Sequence, residues 1–135
     1  MIPAIAYLAA LVSFVALDMV WLGTMASRLY RPTLGDILLT VVNLPPAVAF
    51  YVLYPVGLVH FAILPAVRSG HLGEALINGA LLGFFTYATY DLTSQATLRN
   101  WTTQLTLADI AWGTVLGAVA AAASFWATSK FGGAG

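Results

Sequence analysis

Between Ile2 and Met25 the chain carries one charged side chain, Asp18, and between Ile37 and Val67 it carries none. Runs of this length dictate the solvent. A bilayer core of about 30 Å is crossed by about 20 apolar residues in helical form. Inside it every backbone N–H and C=O needs a partner within the protein, and a helix supplies its own. Composition agrees: 61% of residues are hydrophobic and 7% are charged, against about 25% charged in soluble domains. So few charges cannot solvate a 14.3 kDa globule. The surface faces lipid.

The fold class expected is all-α: a polytopic membrane protein, one transmembrane domain over residues 1–135, built as a four-helix bundle. The first span covers about Ile2–Met25, with no basic n-region and an apolar stretch longer than a signal-peptide core, so it reads as uncleaved. A polar connection follows over Ala26–Asp36, with Arg28, Arg31 and Pro32. The run Ile37–Val67 would be about 46 Å long as one helix at 1.5 Å per residue, too long for one crossing. Pro45-Pro46 breaks it, since proline suits the first turn of a helix and damages its interior. The second span is therefore Pro46–Val67, kinked at Pro55, and Ile37–Leu44 is a short interfacial or re-entrant segment. The third and fourth spans cover about Glu74–Leu98 and Gln104–Ser129. Trp101 and Trp126, near helix ends, fit an interfacial aromatic belt. Gly79/Gly83 and Gly113/Gly117, the latter extended by Ala121, are small-xxx-small pairs that pack helices closely in lipid.

Several function classes drop out. Zero net charge offers no field for nucleic acid. With no cysteine, disulfides and thiolate chemistry are excluded. His60 and His71 flank a helix end and make a poor metal pair; neither a metal nor another cofactor is expected. There is no nucleophile elbow and no phosphate loop, so no catalytic residue is assigned and an intramembrane enzyme is a distant option.

What remains is a set of acids. Of the five acidic residues, Asp18, Asp91 and Asp109 fall inside spans, and no Lys or Arg does. With helix directions alternating, all three lie on the side of the first and third connections, roughly 6–10 Å from the midplane. An aspartate at a helix centre costs about 2.5–3.5 kcal/mol, so the three face the bundle interior or a water-filled cavity, where burial and mutual repulsion favour the protonated acid. Candidate partners at that depth are Tyr51 and Tyr54, then Tyr87, Gln95 and Tyr90 around Asp91. Trp21 and Trp112 each follow an aspartate by three residues, which sets each indole beside its own carboxylate's face. Arg31 and Arg99 reach in from the rim. Ligand and proton binding is the functional reading of such a cluster; hydrogen-bonded pinning of helices is the structural one.

The stretches Leu17-Asp18-Met19-Val20-Trp21-Leu22-Gly23, Tyr30-Arg31, Phe50-Tyr51-Val52-Leu53-Tyr54, Tyr87-Ala88-Thr89-Tyr90-Asp91-Leu92-Thr93 and Asp109-Ile110-Ala111-Trp112-Gly113 span nearly the whole chain. In them the sequence resembles a bacterial membrane family catalogued as domain of unknown function 2177. It departs from that pattern at Ser94, where Asn is expected. The resemblance implies four spans and a bacterial inner (cytoplasmic) membrane, and it implies no activity.

The expectation is a small membrane protein with an intramembrane carboxylate cavity that couples protons to binding or transport of a small or lipid-like ligand. The alternative is a non-catalytic accessory subunit of a larger membrane complex. Membrane lipid is the expected surround, and a bundle this small favours a homo-oligomer or a partner membrane protein. Arg28, Arg31 and Arg99 on one side against Arg68 and Lys130 on the other put the first and third connections in the cytoplasm.

Overall fold

The computed structural model describes residues 2–35 and 43–131, which form four long helices. We label them α1 (Ile2–Leu34), α2 (Leu44–Ser69), α3 (Leu72–Thr97) and α4 (Thr103–Phe131). By length and composition α1, α2 and α4 are apolar enough to cross a membrane, whereas α3 is less so. The proposed re-entrant segment lies outside the described residues, apart from Asn43 and Leu44, which open α2.

Helix boundaries follow local chemistry. Pro45 and Pro46 sit in the first turn of α2, where a missing N–H costs nothing. That helix ends at Gly70 with φ 75°, a left-handed cap in which the Gly70 N–H donates to the Ala66 carbonyl at 2.8 Å. Thr102 starts α4 by accepting the Leu105 N–H at 3.1 Å on its hydroxyl.

One expectation fails. The part of the expected Ala26–Asp36 connection that is described is helix, because the chain stays helical to Leu34; Asp36 lies outside the described residues. Ala26–Tyr30 forms a π-turn in which the Arg31 N–H reaches the Ala26 carbonyl, and Arg31–Leu34 adds one further turn. Pro32 explains the widened turn, since its ring would strike the carbonyl of Arg28 in regular α geometry. The same device recurs in α2. Val59–Ile63 is a π-turn immediately before Leu64-Pro65, and the Leu64 N–H donates to the Val59 carbonyl. Pro55 lies inside the α-helical stretch Leu44–Leu58; the departure from α geometry comes after it, at Val59. The extension of α1 is held by packing, because Leu29 and Leu34 are buried against Trp101 and Leu105. Trp101 is thus a core residue at 9% exposure and no belt residue, while Trp126 stays exposed at 58%.

The centre of the fold is the α3–α4 pair, antiparallel and in contact along its length. Its seam is glycine on glycine. A Cβ at Gly79 would collide with the Gly117 carbonyl, one at Gly83 with the Gly113 carbonyl, and one at Gly117 with the Gly79 carbonyl. Only hydrogen allows this approach, and close packing is what associates helices in lipid. α1 lies along α4, and Ser124 of α4 donates to the Ala6 carbonyl at 2.7 Å. α2 is divided. From the π-turn onward it packs on α1, α3 and α4, whereas its first half, Leu44–Leu58, packs mainly on α1.

Candidate functional site

Where the first half of α2 fails to fill the space between α1 and α3, a cavity of about 980 Å³ remains. α1 contributes Asp18, Leu22, Tyr30, Arg31 and Leu34 to its wall. Phe50 comes from α2, Thr86, Tyr87 and Tyr90 from α3, Trp101 from the α3–α4 turn, and Asp109 from α4.

The backbone places these groups for identifiable reasons. Tyr87 reaches the cavity by lying across Gly113, where a Cβ would overlap the phenol ring. Tyr30 arrives through the π-turn of α1, which keeps the chain helical beyond Met25 and carries the phenol back to Asp109. Trp101 folds inward after Asn100, whose φ of 69° turns the chain tightly between α3 and α4; Asn tolerates that region better than most residues. The Trp101 ring meets Tyr90 edge-on at 5.6 Å.

All three aspartates are buried, at 7% for Asp18, 0% for Asp91 and 6% for Asp109. Asp18 accepts from the Tyr51 hydroxyl and, at 3.1 Å, from the Trp112 indole. Asp109 accepts from the Tyr30 hydroxyl, which itself accepts from the Trp21 indole at 2.8 Å. Trp21 and Trp112 stack with centroids 4.6 Å apart and planes 6° from parallel. The indoles are therefore crossed relative to the sequence expectation. The Trp112 N–H serves Asp18 across the helix pair, and the Trp21 N–H serves the Tyr30 hydroxyl two turns along α1.

Asp91 stands behind this wall. Among the described residues it does not line the cavity, and no donor group reaches either of its carboxyl oxygens. Set against it is the Asp109 carboxyl. Two ionised acids offer each other no donor; a single proton between them would supply one. Buried polar groups left without partners are rare and costly, about 1–3 kcal/mol each.

The remaining candidates divide. Tyr51, Tyr54 and Tyr87 meet around the site, Tyr54 approaching the Thr86 hydroxyl at 3.3 Å and Tyr87 edge-on at 6.5 Å. Arg31 lies exposed on the cavity wall. Gln95 is not a partner of Asp91. It donates to Thr103 at 2.9 Å and accepts from Thr106 at 2.7 Å, tying the α3–α4 turn together. Arg99 stays in the exposed turn, outside the cavity. His60 is exposed against Phe61. Tyr30 was missed by sequence reasoning because its segment read as a loop; the Pro32 two residues on was the available sign of an altered helical turn. Among the described residues no group of three His, Cys, Asp or Glu is arranged to hold a metal ion.

A family of predicted membrane proteins, DUF2177, matches residues 3–126. The chain belongs to this family. No curated protein and no solved structure matches it. Family membership and the apolar helices together make this a membrane protein.

Proposed function

We propose that this member of the family is a four-span membrane protein whose cavity binds a small or lipid-like ligand, with Asp18, Asp91 and Asp109 taking up and releasing protons as the ligand comes and goes. The observation that carries the reading is the cavity itself, which has two buried carboxyls in its wall and a third, unpartnered, directly behind them. Packing alone would call for donors matched to every oxygen. Asp91 meets no donor among the described residues and faces the Asp109 carboxyl, which supports a proton shared and exchanged between the two.

A fourth span is part of the proposal. α3 is the least apolar helix because it carries Glu74, Asn78, Asp91 and Gln95 as well as four threonines, but Asp91 is buried and the threonine hydroxyls are satisfied within the helix. Thr86, Thr89, Thr93 and Thr97 donate to the carbonyls of Leu82, Phe85, Thr89 and Thr93. A helix that pairs its own hydroxyls can face lipid at small cost, and α3 is welded to α4 by the glycine seam. The acids then lie at hydrocarbon depth, in what we take to be a bacterial inner membrane. Lipid surrounds the bundle, and a second copy or another membrane protein completes the assembly.

The test is infrared difference spectroscopy on wild type and on Asp18→Asn, Asp91→Asn and Asp109→Asn, with flux or phenotype measured in parallel. A protonated carboxyl at neutral pH, lost in Asp91→Asn together with activity in a protein that still folds, is the expected result. Full activity in all three variants would leave the accessory-subunit reading in its place.

A further inference from the structure

The charge and wall chemistry of the cavity narrow the ligand class, an inference that rests on the proposed binding function. The donors to its acids are neutral phenols and indoles, Tyr51 and Trp112 on Asp18 and Tyr30 on Asp109. Against Asp109 stands Asp91, fully buried, with no donor to either oxygen among the described residues. The base on the cavity wall is Arg31, which is exposed. The interior is therefore short of positive charge, and in a low-dielectric setting that shortage must be met by a bound cation or by protons.

The rest of the wall suits one kind of cation. Tyr30, Phe50, Tyr87, Tyr90 and Trp101 all line it. Aromatic faces attract cations within about 6 Å of the ring centroid, most strongly where water is excluded. A cavity of about 980 Å³ lies at the upper end of the roughly 300–1,000 Å³ typical of small-molecule sites and is far too roomy for a bare metal ion. Nor are the acids arranged as metal ligands among the described residues; Asp18 and Asp109 line one cavity and are each held by their own neutral donors. An anion would meet the buried carboxyls with like charge.

We propose that the cavity takes a lipophilic organic cation, its charge between Asp18 and Asp109 against the tyrosine rings and its apolar body along Leu22, Leu34 and Phe50. Two sources share this chemistry. One is a free amphiphilic amine or onium compound. The other is the ammonium headgroup of an aminophospholipid, whose phosphate would meet Arg31 at the rim.

The experiment uses the intact protein in a neutral sugar detergent and a probe pair of equal size and shape, tetraphenylphosphonium and tetraphenylborate, which separates charge recognition from partitioning. Binding is read by calorimetry and by quenching of tryptophan fluorescence, since Trp101 lines the cavity and Trp21 and Trp112 bond to Tyr30 and Asp18 of its wall. Saturable binding of the phosphonium, at least tenfold tighter than the borate, is expected. Asp18→Asn and Asp109→Asn should each weaken it by tenfold or more in folded protein. Repeating the titration in nanodiscs of phosphatidylglycerol with and without phosphatidylethanolamine distinguishes the sources: competition by the aminophospholipid identifies the headgroup as occupant, and its absence identifies a free cation. Equal binding of both probes, or no binding of either, overturns the cation proposal on wild-type protein alone. If that happens while the Asp91 infrared band and the loss of activity persist, the proton-linked reading stands and only the ligand class is wrong.

Discussion

The two ends of this bundle are made by the same four helices and differ in what separates them. At one end the contacts are between Ala6, Ala10, Ala62, Ala66, Ala75, Ala120 and Ala121, all fully buried, and the glycines of α3 and α4 meet backbone to backbone. At the other, the space between α1 and α3 is walled by tyrosine, tryptophan and aspartate, and α2 reaches it with Phe50 while Tyr51 bonds to Asp18. Small side chains bring helices together until no volume is left, whereas rings hold them apart and leave room whose polar groups must be satisfied from the walls. The fold is closed by its small residues and opened into a cavity by its large ones. The π-turn at Val59–Ile63 lies where α2 passes from one regime to the other.

The sharpest way to break this contrast is to enlarge one side chain at each end. Gly83→Leu drives a side chain into the Gly113 carbonyl, where neither backbone can yield, and overpacking of a dense interior costs about 1–3 kcal/mol or more. We expect no folded, monodisperse protein from it. Leu22→Phe adds volume at the cavity wall, where Leu22 is 37% exposed; its melting in detergent, followed by circular dichroism, should stay within about 0.5 kcal/mol of wild type. Equal damage at both positions would mean that the cavity end is packed as tightly as the seam.

Asp91 joins the two regimes, being fully buried on α3 yet set against Asp109 of the cavity wall. Asp91→Asn gives Asp109 an amide donor and removes a buried acid without a partner. Stability should rise by about 1–2 kcal/mol, read as a higher melting temperature, while function is lost. A fall in stability would show that Asp91 is a structural pin.

Two smaller changes compare single hydrogen bonds. Trp112→Phe removes one of the two donors to Asp18 and should cost about 1 kcal/mol together with a clear loss of phosphonium affinity. Ser124→Ala removes the bond to the Ala6 carbonyl at the tight end. Interhelical bonds of this kind average about 0.6 kcal/mol in membrane proteins, so a slight drop in melting temperature with unchanged binding is expected. If Ser124→Ala altered binding, the two ends would be coupled through α1.

The sequence by itself determined the solvent, the helical class and the helix starts near Pro45, Glu74 and Gln104, because apolar runs and prolines act locally and leave a mark at fixed spacing. It also singled out three acids that the structure buries and four glycines that the structure presses together, since carboxylates and small residues in apolar helices have few other uses. It did not determine partners. Gln95 at four residues from Asp91 and Trp21 at three from Asp18 were matched by helical spacing, yet Gln95 bonds across the turn to Thr103 and Thr106, and Trp21 serves Tyr30. Spacing along one helix says which side chains share a face, but which of them meet depends on the neighbouring helix and the rotamers its packing permits. The cavity was decided in the same way. Its volume belongs to no residue: it is the space left when a glycine seam fixes α3 on α4, α1 follows α4, and α2 reaches only half of the gap.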